Sequence, residues 1–104
     1  LLALHGMKTV SLLKSANPFA AEVAKGFEIH ASDRNITIKY STEYSVKGTY
    51  GPSDPAQFPG LIEAACIMNP DALFAIGQLA DAEPIVKAAY ANTACRPKAF
   101  FITS

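Results

Sequence analysis

The side chains that could do chemistry in this chain of 104 residues are few and widely spaced. The two histidines, His5 and His30, lie far from the two cysteines, Cys66 and Cys95, and neither cysteine belongs to a CxxC pair. Structural zinc sites draw on closely spaced Cys and His pairs, so no metal site is expected. His5 precedes Gly6, a residue suited to the position just past a helix end. His30 falls in the last turns of a helical pattern, where an imidazole neighbours the negative helix terminus. Asp81 and Glu83 open another helical pattern, and Asp81 reads as its N-cap. A GxSxG elbow, a pair of carboxylates and a nucleophile–base pair are all missing from the sequence. What remains is Ser15, Asn17 and Phe19 in one turn and Gln78 and Leu79 in another. Ser15 and Asn17 offer short hydrogen-bonding groups beside a helix start that favours a carboxylate. Phe19 offers an apolar wall, and Gln78 can donate and accept. Each has a structural reading as well: turn and cap duty for Ser15 and Asn17, core packing for Phe19. This is equipment for binding, and no enzyme is expected.

The elements that would position these residues alternate in period. Residues 8–14 form a short β-branched strand. Asn17 and Pro18 then supply an N-cap and a first helical residue. Phe19, Val23, Phe27 and Ala31 recur every four residues, with Ala20 and Ala24 beside them, and predict a helix to about Ser32. Residues 36–44 read as a second strand, and the glycines and prolines from Lys47 to Pro55 as a loop. A helix is expected from about residue 57 or 58 to Met68. Ala72 to Ile76 is continuously apolar, as in a parallel strand buried on both faces. Asp81 to Asn92 reads as a helix with Ile85, Val86, Ala89 and Tyr90 inward, and residues 98–102 as a fourth strand.

The resulting order, β-α-β-α-β-α-β, implies an α/β fold with a doubly wound parallel sheet in strand order 2-1-3-4. Ligands of such sheets bind outside the carboxyl ends of the strands where the winding reverses, here between the first and third strands. The two turns singled out above lie there. Dinucleotide and phosphate-loop motifs would need glycines in the first turn, which has none, so no cofactor is expected. A receiver-type phosphoacceptor would need acidic residues where Ser15 and Gly77 stand.

Composition agrees with a folded module: half the residues are apolar and 17% are charged. Nine basic and nine acidic residues cancel, leaving no basic stripe for nucleic acid. No apolar run reaches the ~20 residues that span a bilayer. The chain begins at Leu1 and stops just after a strand, and it reads as an excerpt.

The residues Lys8-Thr9-Val10-Ser11-Leu12-Leu13, the aromatic Phe19, the pair Gly26-Phe27, and then Phe58, Ile62, Asn69-Pro70-Asp71-Ala72-Leu73-Phe74 and Gly77 resemble the type 1 periplasmic solute-binding proteins, closest to the branched-chain amino acid branch. The segment from Leu1 to Met7 is similar to the end of the helix that crosses from the other lobe. The resemblance implies that residues 1–104 are part of the second lobe of a two-lobed binding protein, a three-layer sandwich. It implies a small, amino-acid-like ligand held at Ser15, Asn17, Phe19, Gln78 and Leu79 and a periplasmic or extracellular location. The implied partner is the membrane permease of an ABC transporter. The same fold also serves as the ligand sensor of receptors and regulators. Two departures bear on the ligand: Phe19-Ala20 stands where the family often has Tyr-Gly, and Gln57 where it often has Asp. With the second and third helices on one face, Cys66 and Cys95 fall toward one sheet edge. A disulfide is conceivable there, and Cys66 as a small buried apolar residue is the alternative.

Overall fold

The computed structural model describes residues 8–48, 51, 53–67, 69–92 and 98–103, the last of these as backbone. The crossover segment expected at residues 1–7, with His5 and Gly6, lies outside the described residues, as does Cys95. The elements are β1 (Thr9–Ser15), α1 (Pro18–Asp33), β2 (Thr37–Tyr44), α2 (Phe58–Ile67), β3 (Ala72–Gly77), α3 (Ala82–Ala91) and β4 (Lys98–Thr103). Short 3-10 turns over Pro55–Gln57 and Leu79–Asp81 lead into α2 and α3. Strands and helices alternate in an α/β fold with a parallel sheet: β1 lies between β2 and β3, and β4 pairs with the far side of β3.

The side-chain alternation of β1 and β3 divides the core in two. Val10, Leu12, Ala72, Phe74 and Ile76 face α1, which returns Ala20, Ala24, Phe27 and Ala31. Phe27 and Phe74 meet with ring centroids 4.8 Å apart, within the range of favourable tilted aromatic pairs. Leu13, Leu73 and Ala75 face α2 and α3, which return Phe58, Ile62, Ala65, Ile85 and Ala89. The buried Ser11 hydroxyl donates to the Ala65 carbonyl at 2.8 Å, tying α2 to the sheet.

A register shift sits in β2. Val10 pairs with Ile38, but Ser11 pairs with Tyr40, so Lys39 is an extra residue. One inserted residue sends everything after it to the opposite face of the sheet. Ile38 therefore packs against the α1 side, whereas Tyr40 and Tyr44 pack against the α2–α3 side. The bulge thereby brings Tyr44 to the α2–α3 face.

Two expected helix faces are corrected. The buried stripe of α1 runs through Ala20, Ala24, Phe27 and Ala31, in steps of four, three and four, and Phe19 is 51% exposed. The small Ala20 and Ala24 let the helix sit close to the sheet, which turns Phe19 outward. On α3, Ile85 and Ala89 are buried as expected, but Val86 is half-buried and Tyr90 is 73% exposed. A ten-residue helix sharing its face with α2 presents only a narrow stripe to the sheet.

Candidate functional site

At the carboxyl ends of the strands, three side positions of the α2–α3 face line up: Ser15 on β1, Tyr44 on β2 and Gly77 on β3. Ser15 and Tyr44 are register partners, and β3 lies on the other side of β1. The Tyr44 ring reaches across Ser15, a residue small enough to pass beneath it, until its hydroxyl lies over Gly77. A Cβ built on Gly77 would stand 1.8 Å from that hydroxyl, so the position admits glycine alone without displacement. The ring is 1% exposed and packs edge-on against Phe58 at 5.2 Å.

Two sets of hydrogen bonds meet around this hydroxyl. Tyr44 donates to Asp81 Oδ2 at 2.6 Å, and the Ser53 hydroxyl donates to Asp81 Oδ1 at 2.7 Å. Beside it, Asn17 Nδ2 donates to Ser15 Oγ, and Ser15 is the register partner of Tyr44. Asn17 Oδ1 in turn accepts from the Ala20 amide at 2.8 Å and caps α1. Five residues from the β1–α1 turn, the end of β2, the loop before α2 and the start of α3 are thus gathered in one place, Tyr44, Ser53 and Asp81 in one bonded set and Ser15 and Asn17 in the other. Among the described residues no buried side-chain nitrogen or oxygen lacks a partner, as a buried polar cluster requires if it is to stabilise.

Asp81 corrects an expectation. It occupies the residue before α3, but its carboxylate makes no capping bond. It is 3% exposed, and its oxygens serve Tyr44 and Ser53 instead. Burial raises the Tyr44 phenol far above its ordinary value near 10, and the hydrogen bond and charge of Asp81 push the same way, while Ser15 acts in the opposite direction. The phenol stays a neutral donor at any ordinary pH. This holds the network in one protonation state on the tyrosine side and makes the cluster a scaffold.

The structure brings the two expected ligand turns side by side, because β1 and β3 are neighbours with Lys14 opposite Ile76. Within those turns the residues divide. Ser15 and Asn17 are buried and committed to these hydrogen bonds. Phe19 is half exposed and Leu79 is 75% exposed. Gln78 is half-buried, and its carbonyl accepts from the Asp81 amide at 2.9 Å, closing the 3-10 turn that presents Leu79. The solvent-facing surface above the network therefore comes from Ala16, Phe19, Leu79 and Ala80.

Tyr44 and Ser53 join the site without having been expected there, and Asp81, which lies near the expected site and reads as a cap, joins it through its side chain. The one sequence signal was the glycine that ends the apolar run at Gly77. Its Cβ-free surface called for a partner, but the bulge that delivers Tyr44 leaves no mark on the residue pattern. The loop carrying Ser53 is held from both sides. Val46 bridges Ser53, and Gln57, at the position noted above as a departure, clasps Ser45 through both its amide groups at 2.9 Å. A Cβ on Gly51 would overlap the Lys47 carbonyl at 1.8 Å, so the turn between them needs glycine there.

Elsewhere, a half-open groove of about 510 Å³ runs between α2 and α3, lined by Pro59, Glu63, Cys66, Ile67, Ala88, Ala91 and Asn92. Cys66 is disulfide-bonded; Cys95, the other cysteine of the chain, is among the residues not described. No group of three or more His, Cys, Asp or Glu side chains that could hold a metal occurs among the described residues, and no described helix is long and apolar enough to cross a membrane. No protein-family model matches the chain, and no curated protein matches it.

Proposed function

We propose that this chain is part of one lobe of a two-lobed solute-binding protein of the type 1 periplasmic class, and that it takes a small amino-acid-like solute without altering it. In this reading the lobe is a doubly wound three-layer sandwich with strand order 2-1-3-4. The solute is held in the cleft between lobes and delivered to the permease of an ABC transporter. The observation that carries the reading is the split between β1 and β3. These neighbouring parallel strands send their next helices to opposite faces of the sheet, α1 to one and α3 to the other. That divergence opens a crevice at the strand ends, where α/β sheets receive ligands. The turns on its two sides present Phe19 and Leu79 to solvent, while the hydrogen bonds beneath fix both turns in place. Binding between preformed surfaces costs less ordering than binding to mobile ones. The Cys66 disulfide supports an oxidising compartment, periplasmic or extracellular.

The test is a thermal-shift screen of the full two-lobed protein against amino acids, amides and small aromatic acids. A true solute at a hundredfold over its dissociation constant adds about 2.7 kcal/mol, a rise of roughly a few degrees in Tm. A selective rise with the solute recovered unchanged supports the reading. Consumption of the solute would replace it with an enzyme, and no rise across the panel would remove its basis.

A further inference from the structure

The turn between α1 and β2 carries a motif that solute binding does not use. It reads Asn35-Ile36-Thr37, an Asn-x-Thr triplet with no proline in the middle. Such triplets are the acceptor sequence for N-linked glycans in exported proteins. We propose that Asn35 is a glycan attachment site. The triplet alone is permissive, and its placement carries the inference.

First, Asn35 and Thr37 are both exposed, whereas Ile36 between them is buried against the α1 side of the core. Second, Asn35 closes the helix without spending its side chain. It stands at φ 57°, its amide donates to the Ser32 carbonyl at 3.2 Å, and the Ile36 amide donates to Ala31 at 2.8 Å. This is a Schellman ending, made by backbone groups, in which Asn is one of the few residues tolerated besides glycine. Third, Thr37 pairs with Thr9 at the amino ends of the strands, the pole opposite Ser15, Tyr44 and Gly77. A sugar there leaves the proposed cleft clear. Fourth, among the described residues β2 pairs with β1 alone, which leaves its other edge without a described partner strand. A bulky hydrophilic group at its first turn would screen that edge from association with another strand. The Cys66 disulfide is consistent with the oxidising compartments in which such transfer takes place.

The step requires a lipid diphosphate-linked oligosaccharide as donor. Asn35 Nδ2 attacks the anomeric carbon, forming a C–N bond as the bond from that carbon to the diphosphate oxygen breaks. The lipid diphosphate leaves with the electron pair, and Nδ2 loses one proton. Thr37 supplies the hydroxyl that the transferase reads. The inference shares with the proposed function only the export of the chain and is independent of any solute.

The experiment exports the full-length protein through a secretory pathway that carries this donor and compares its intact mass before and after peptide N-glycosidase. The expected result is a loss of sugar mass on treatment, with an aspartate left where Asn35 stood. Asn35→Gly and Thr37→Ala should both lack the added mass, and Thr37→Ser should keep at least part of it. Asn35→Gly preserves the left-handed turn, so it separates loss of the acceptor from loss of the fold. Wild-type protein recovered from the export compartment without sugar would overturn the proposal, as would sugar that persists on Thr37→Ala.

Discussion

The two ends of the sheet solve the same task with opposite degrees of burial. At the amino ends, the exposed Asp71 carboxylate accepts from the Lys8 amide at 2.7 Å and the Thr9 amide at 3.1 Å, while the Asp71 amide donates back to Thr9. This latch ties the start of β3 to the start of β1 in full contact with water. At the carboxyl ends, Asp81 does a comparable job at 3% exposure, with a tyrosine and a serine as its donors. Water can replace a lost partner at the first end and not at the second. A buried polar group left unpaired costs the full desolvation penalty, whereas an exposed one costs little. The difference shows where the molecule has committed its structure: the end that would face a ligand is the one held by buried hydrogen bonds.

The comparison can be broken first at Gly77. Gly77→Ala places a methyl group where the Tyr44 hydroxyl stands, and it should cost about 3 kcal/mol from overpacking and a lost buried hydrogen bond. Urea denaturation of the parent protein would measure it. Asp81→Ala comes next, with about 2 kcal/mol for stranding the Tyr44 and Ser53 hydroxyls, and a cycle with Tyr44→Phe should be non-additive because the two share one bond. Third, the Tyr44 phenol is raised in the folded state, so its contribution is complete below about pH 10 and declines as pH rises beyond it. The slope from this group reaches about 1.4 kcal/mol per pH unit and should be absent in Tyr44→Phe. The smallest effect belongs to the other end. The backbone donors at Lys8 and Thr9 hold the Asp71 carboxyl below its ordinary value near 3.8, so its contribution is present above about pH 4 and fades as pH falls further. Asp71→Asn should flatten that acid limb and cost less at neutral pH than Asp81→Ala.

Much of the framework was legible in the residues because it rests on local signals. Asn17-Pro18 marks the start of α1 and caps it as expected, and the unbroken apolar run of Ala72 to Ile76 is a strand buried on both faces. The placement of β1 beside β3, and with it the meeting of the two turns, follows from alternation of strands and helices. The network was not legible because its members are joined by tertiary geometry. Tyr44 reaches Asp81 only through a one-residue bulge at Lys39, and nothing in the spacing of Tyr44, Ser53 and Asp81 marks them as partners. Phe19 and Tyr90 were placed wrongly or ambiguously for a related reason. A four-residue period names a helix face but not its width, and small alanines close to the sheet decide which neighbours are turned out.

The most direct test of the central claim is hydrogen exchange on the two-lobed protein with and without a solute that raises its Tm. The account predicts added protection in the β1–α1 turn around residues 15–20 and the β3–α3 turn around residues 77–82, with none in the groove between α2 and α3. Protection confined to that groove, or absent from both turns, would contradict it.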